Sequence, residues 1–436
     1  MEFKRGLDEW PPPGELVLYG LQWLAISVPG VIIVGGIVGQ LQFQDLAGQI
    51  LYLQKLFFVT AVTLVVQLLV GHRLPLVLGP AAVLLIGVVA SQGHDLPTIY
   101  TSIMIGGAVL ALFSALGLFP SLQRLFTPRV VALVLLLIAF TLAAPIMDLL
   151  IGSRSGVSPL ASLVFAMTLL VGMFFLHRWL RGPKKAMLIV VALAAGSLAY
   201  YVLFPGISPS SASSLPGIGH FVVNLTSSLR LDPGVLVSFL CCYLALAIND
   251  LGSIQSIGEV VRAGDMEGRV RRGITVTGVA NLLSGWLGVI GPVNFSLSPG
   301  VVMATGCASR YALLPTGLVL FFLAFSPAAL VWLAAIPSVV MGAVLLYILC
   351  AQVSAGLLLA FEVPGGFLFE DGLILGLPLL LGTIVSFLPD SALLSMPSVL
   401  RPILGNGFVV GVTAVMLLEH VILPEDVRRS RVRGSD

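Results

Sequence analysis

The sequence predicts an all-α polytopic membrane protein: about fourteen transmembrane segments in a seven-plus-seven inverted repeat, with two half-helices preceded by short strands. Three observations predict it. The chain is 58% hydrophobic and only 10% charged over 436 residues, with a mean hydropathy of +1.08, whereas soluble domains carry roughly a quarter charged residues. Apolar stretches of spanning length recur from end to end. Two of them, at matching places in the two halves, are short and interrupted by Gly and Pro.

In order, the spans fall near 16–38, 51–71, 75–91, 98–119, 128–150, 158–177, 185–204, 234–260, 273–290, 292–306, 312–334, 337–360, 372–389 and 404–423. Residues 1–15 are a polar lead-in ending in Pro11-Pro12-Pro13, read as cytosolic and not as a cleavable signal. Residues 424–436 form a polar tail. The distribution of Lys and Arg orients the chain. With the N-terminus inside, Lys4, Arg5, Arg73, Arg124, Arg129, Arg178, Arg269, Arg272, Arg310 and the basic tail all lie inside, and only Lys55, Arg154, Arg230 and Arg401 lie outside. Residues 205–233, rich in Ser, Gly and Pro, form the external loop that joins the halves. An odd number of spans per half gives the halves opposite topology. Short loops fit a bacterial inner-membrane protein with both termini cytosolic.

The third segment of each half carries the interruption. One reads Leu74-Pro75-Leu76-Val77-Leu78-Gly79-Pro80-Ala81-Ala82, the other Val293-Asn294-Phe295-Ser296-Leu297-Ser298-Pro299-Gly300. Gly79 or Ser298 as N-cap, followed by Pro at the first helical position, is a helix-start signal in the middle of a span. Two half-helix N-termini approaching near the midplane would favour an anion or a carbonyl-rich ligand. The alternative is a pair of proline kinks with no ligand.

Asp250 is the clearest acid in mid-span. Acids inside spans are costly and mark functional sites, and a carboxyl in apolar surroundings is a candidate to exchange a proton near physiological pH. The alternative is a structural acid bonded to a broken helix end. Asn249 and Ser253 share a helical face with Ser256 beyond them, and an amide can donate and accept at once. Gln22 and Asn281 are candidate cavity-lining residues, Trp23 and Trp286 are packing residues, and Glu259 is an interfacial acid. All five histidines fall near span edges or in loops, which argues against a histidine relay. The four cysteines have no metal-ligand spacing, and no P-loop, metal site, cofactor site or catalytic triad is present. A net charge of +2 gives no ground for nucleic-acid binding.

Several stretches resemble the nucleobase–ascorbate transporter family, the xanthine and uracil permeases. They are Leu18-Tyr19-Gly20-Leu21-Gln22 after the prolines, Leu74 to Leu84, Ala304-Thr305-Gly306-Cys307-Ala308-Ser309-Arg310, and Ile336-Pro337-Ser338-Val339-Val340-Met341-Gly342. The resemblance implies a core domain (16–119 and 234–334) and a gate domain (128–204 and 337–423), a base bound between the broken helices, proton- or sodium-driven uptake, and a homodimer. The polar residues themselves point to substrate contacts at Asn249 and Ser253 with Asp250 as the coupling acid, and the resemblance adds contacts at Gly30, Gly79, Pro80, Ala81, Ala82, Leu297, Ser298 and Gly300. This chain departs from the family's pattern in places. Asn249 stands for the eighth-span Glu, Leu297-Ser298 for Glu-Asn or Gln-Asn, Trp23 for the first-span His, and Ala82 for the third-span aromatic. Two rivals share features with this reading: an anion permease of the sulfate-permease type, with the same architecture, and a non-transporting scaffold, which needs neither Asp250 nor paired broken helices.

Overall fold

The computed structural model describes residues 3–118, 127–151, 157–180, 184–205, 221, 223, 225–295, 298–361, 367–397 and 400–423. Among these, eight helical stretches are long and apolar enough to cross a membrane. They are α1 (Pro13–Gln42), α2 (Leu46–Leu69), α4 (Leu96–Ala115), the stretch Pro128–Ile151 made of α5 (Pro128–Thr141) and α6 (Ala143–Ile151), α7 (Pro159–Trp179), α9 (Pro233–Val260), α14 (Ser338–Phe361) and α15 (Phe369–Ser386). Shorter apolar helices end α8 (Lys184–Leu203) and lead from α18 (Gly407–Leu417) into a π-turn at Leu418–Ile422. The chain is an integral membrane protein.

Starts are written locally. Thr127-Pro128, Ser158-Pro159 and Asp232-Pro233 each place a capping side chain before a proline, and the side chains accept from Val130 N, Ala161 N and Val235 N. Such caps satisfy N–H groups that a proline-led first turn leaves open. Asp265 caps α10 (Met266–Leu287) in the same way.

The interrupted segments are strand-then-helix units: β1 (Leu78–Pro80) before α3 (Ala82–Ala90), and β2 (Pro292–Asn294) before α11 (Ser298–Thr305). Both helix starts differ from expectation: Ser298, expected as N-cap, is the first residue of α11, and its hydroxyl bonds Val77 N and Phe295 O. Gly79 is not an N-cap and Pro80 is not the first helical residue. Both pair in the sheet, opposite Val293 and Pro292, and Ala81 N then donates to Gly291 O at 2.9 Å, so the helix begins only after Ala81. The segment expected at 312–334 is also broken. A 3₁₀ turn (Arg310–Leu313) and α12 (Leu314–Ala324) meet α13 (Pro327–Ala334) at 97°. Pro327 lacks an N–H to continue the helix and biases Ser326 out of helical geometry, where its ψ is 80°.

Packing joins sequence-distant helices. α4 lies against α10 and α9, α2 against α12, α5 against α14 and α15, and α15 against α18. The α4–α10 crossing is a small-residue contact: a Cβ on Gly278 would fall 2.4 Å from Ala111 N and 2.7 Å from Gly107 O. Glycine is needed there because two backbones touch. Residues 4–10 are not a free lead-in. Lys4 N donates to Gly306 O, Ala308 N to Arg5 O and Arg310 N to Leu7 O, and Trp10 packs on Tyr311.

Two cations expected in loops are buried. Lys55 lies inside α2 and donates to Val223 O at 2.6 Å. Arg129, in the first turn of α5, has Nε 2.6 Å from Asp371 Oδ1 and Nη1 3.4 Å from Glu419 Oε1. The first is an ion pair by proximity and not an aligned hydrogen bond. This cluster ties α5, the first turn of α15 and the π-turn together. Removing one partner of a buried ion pair costs about 3–5 kcal/mol. Arg129→Met is therefore expected to lower the melting temperature of the detergent-solubilised protein sharply; a melt like wild type would show that the cluster contributes nothing to stability.

Candidate functional site

β1 and β2 pair antiparallel, with Leu78 opposite Asn294 and Pro80 opposite Pro292. The half-helices α3 and α11 therefore leave from opposite ends of the ladder, each with its N-terminus at the sheet. The ladder is too short to satisfy its own backbone, and side chains complete it. Asn281 Nδ2 donates to Pro292 O at 2.9 Å. Asn249 Nδ2 donates to Asn294 O at 3.3 Å, and the Ser253 hydroxyl lies 3.2 Å from the same oxygen. Ser27 Oγ donates to Leu78 O at 3.2 Å. Ser298 Oγ accepts from Val77 N at 3.1 Å, crossing from one interrupted segment to the other.

Asp250 lies behind this ladder, fully buried. Oδ1 accepts from Asn294 N at 3.0 Å and Asn294 Nδ2 at 2.6 Å, and Oδ2 accepts from the Thr277 hydroxyl at 2.7 Å. No Lys or Arg pairs with it among the described residues. Asn294 extends the network on its other side, where Oδ1 is 3.2 Å from His72 Nε2. Leu74 N donates to His72 Nδ1 at 3.0 Å, so the ring proton sits on Nε2 and points at Asn294. Gln67 closes the base of the network, with Nε2 2.8 Å from Gly273 O and 3.1 Å from Thr277 Oγ1.

The expected site residues divide into two groups. Gly30, Ala82 and Asn249 are partly exposed. Gly79, Pro80, Ala81, Asp250, Ser253 and Ser298 are buried in or behind the ladder. Asn281, expected to line a cavity, is also buried, because its amide is used on Pro292 O and Thr277 O while Tyr243 donates to its Oδ1. Gln22 is half-buried two helical turns from Gly30 on the same face of α1, and its Oε1 has no partner among the described residues. Leu297 lies outside the described residues, and so does the side-chain position of Gly300.

Sequence reasoning did not single out Asn294, Thr277 or Gln67 as site residues, and it missed His72 and Phe295. His72 belongs to the network and not to a loop edge. Phe295, partly exposed, lays its ring against Gly30 and Gly79, where added Cβ atoms would fall 3.2 Å from Cε2 and 2.5 Å from Cζ. The ring follows Asn294 in the chain, the residue whose carbonyl Asn249 holds, and presents a partly exposed aromatic face. Both glycines were visible, and an aromatic three residues after Pro292 was the one local hint. A cavity of about 590 Å³ between α2 and α12, lined by Trp10, Val65, Leu314 and Phe321 among others, is almost wholly apolar and lies away from this network.

Paired re-entrant half-helices inside a bundle of membrane-grade helices define a transporter architecture, in which irregular backbone is tolerated where it lines a binding site. A family model described as a permease family, the xanthine/uracil permeases, matches residues 14–391. The chain belongs to this family, the nucleobase–ascorbate transporters, and is a permease, not an enzyme. It is 27% identical over 433 residues to a putative purine permease, YwdJ, of Bacillus subtilis, covering 93% of this chain and 96% of the relative. It is 26% identical over 422 residues to the uric acid permease PucK of the same organism, covering 92% and 94%. Among solved structures, the transmembrane domain of the cyanobacterial bicarbonate transporter BicA shares the fold, with a TM-score of 0.64 at 17% identity over 86% of this chain and 96% of that one.

Asn294 bonds Asp250, His72, Asn249 and Ser253. Asn294→Ala leaves Asp250 and His72 each short of a buried partner, at a cost of about 1–3 kcal/mol for each stranded group. A marked drop in melting temperature is expected, and an unchanged melt would show that the network does not hold the ladder.

Proposed function

We propose that the chain is a secondary active transporter of nucleobases, with purines of the xanthine and urate type as the leading substrates, driven by a proton gradient through Asp250. The observation that carries the reading is the exposed edge of the ladder. There Asn249 offers an amide, Phe295 an aromatic face, and two helix N-termini their free N–H groups. A flat heterocycle with carbonyl and N–H groups along its edge matches that set. No described carboxylate shares this edge, since Asp250 faces the other way, so an anionic oxopurine meets donors and no opposing charge. The names of the sequence relatives point to the same chemistry.

On this reading the apolar segments make about fourteen spans in two oppositely oriented halves. The core domain is formed by 16–119 and 234–334, and the gate domain by 128–204 and 337–423. The Arg-rich ends face the cytosol of a bacterial inner membrane, both termini are inside, and two chains associate as a homodimer. Asp250 is the candidate for coupling because Asp371 and Glu419, also buried, lie beside Arg129, whereas Asp250 has only neutral donors. An anion permease is the second reading, favoured by the shared fold of a bicarbonate transporter domain.

Thermal-shift binding of the purified protein to xanthine, hypoxanthine, guanine, urate, uracil, sulfate and bicarbonate separates the two. Stabilisation by a purine is expected, and stabilisation by the inorganic anions alone would overturn the nucleobase reading. Asn249→Ala should weaken binding of the stabilising base by about 1–3 kcal/mol, the cost of an unpaired polar group; wild-type affinity would remove Asn249 from the site. Asp250→Asn should abolish uphill accumulation in proteoliposomes while leaving exchange intact, and normal accumulation would remove Asp250 from coupling.

A further inference from the structure

The two oxygens of Asp250 are held differently. Oδ1 receives two N–H groups of Asn294. The backbone one cannot reverse. The side-chain amide cannot turn over either, because that would set Nδ2 against the Nε2–H of His72, and His72 cannot move its proton to Nδ1, which already receives Leu74 N–H. Oδ1 is therefore surrounded by fixed donors and has no place for a proton. Oδ2 faces a hydroxyl, which can donate or accept. Gln67 Nε2 reaches both Thr277 Oγ1 and Gly273 O, at 3.1 and 2.8 Å. That carbonyl is one turn before Thr277 on α10, the ordinary acceptor for a threonine hydroxyl in a helix.

We infer that Thr277 is the positioning residue for proton uptake: the proton that Asp250 binds sits on Oδ2 and is donated to Thr277 Oγ1, while the Thr277 hydroxyl hydrogen turns away from Asp250. One proton is taken from water and none is released; the carboxylate becomes a carboxylic acid and no other bond changes. The inference rests on the proposed proton coupling at Asp250. The groups facing Asp250 from the packed elements are Thr277 of α10 and Asn294 of β2, with Gln67 of α2 behind Thr277. Among the described residues the titratable neighbour is His72, reached through Asn294, and the charged one is Arg269, whose Nη1 is 2.9 Å from His72 O.

Infrared difference spectroscopy on the intact protein in lipid, stepping the pH without substrate, tests this. A protonated-carboxyl C=O band absent from Asp250→Asn belongs to Asp250. The band should hold its position in Thr277→Ser, which keeps the hydroxyl, and shift in Thr277→Val, which removes it. Thr277→Cys, close in size with a weak hydrogen-bonding thiol, should shift the band as well and serves if the valine variant does not fold. A band at the wild-type position in the valine or cysteine variant would place the proton elsewhere and overturn the role of Thr277, with coupling through Asp250 left standing. No pH-dependent Asp250 band in the wild type would instead overturn proton binding by Asp250 itself.

Discussion

The structure depends on one constraint: backbone groups taken out of helices inside a membrane must still be paired, because each stranded N–H or C=O in hydrocarbon costs several kcal/mol. Residues 74–81 and 289–295 are such backbone. Their solution is mutual. A three-residue ladder satisfies the middle of each segment, and Phe295 N reaches Val77 O just beyond it. The ends are then completed one group at a time, with Tyr52 accepting from Ile290 N, Ser298 accepting from Val77 N, and Asn281, Asn249 and Ser27 donating to carbonyls.

That use decides what is left for a ligand. A side chain that completes the ladder with all its groups is unavailable, which removes Asn281 and leaves Ser298 a structural bridge. What remains at the exposed edge is Asn249, bonded by one amide hydrogen and with its carbonyl oxygen uncommitted, together with the half-helix N-termini and the Phe295 ring. Close helix contact supports the arrangement from behind. The glycine crossing of α4 and α10 brings Thr277 and Asn281 up to β2, so a backbone contact tens of residues from the ladder helps to set its geometry.

Legibility follows the range of the interactions. The class of protein, the two interruptions and the isolated Asp250 were readable because composition, helix-start residues and a lone acid in an apolar run are local signals. The helix start after Pro80 was misplaced because a proline suits a first helical turn and a strand end equally, and the choice was made by pairing with Pro292, far along the chain. His72 looked like a loop residue beside Arg73, since its partner Asn294 is 222 positions away. Arg129 was likewise read as one of the inside cations with no partner, since Glu419 is 290 positions away. Phe295 was overlooked because the family's aromatic was sought at Ala82, whereas the ring here stands in the other interrupted segment.

Asn249 and Asp250 are consecutive on α9, so their side chains diverge by about 100° around the helix. One is turned to the exposed edge of the ladder and the other to α10 and the far side of β2. On the proposed reading, substrate recognition and proton binding therefore fall to neighbouring residues that do not share a surface. The link between them is Asn294, whose carbonyl is held by Asn249 and Ser253 while its N–H and amide are held by Asp250. A change in the charge of Asp250 acts first on the N–H side of that residue, and a ligand competing for Asn249 acts first on its carbonyl side. A strand of three residues, clamped at both faces, is a short and stiff connection between the two events. On the proposed reading the titrating charge lies one residue along the helix, behind the strand, and the edge that Asn249 offers to substrate is neutral.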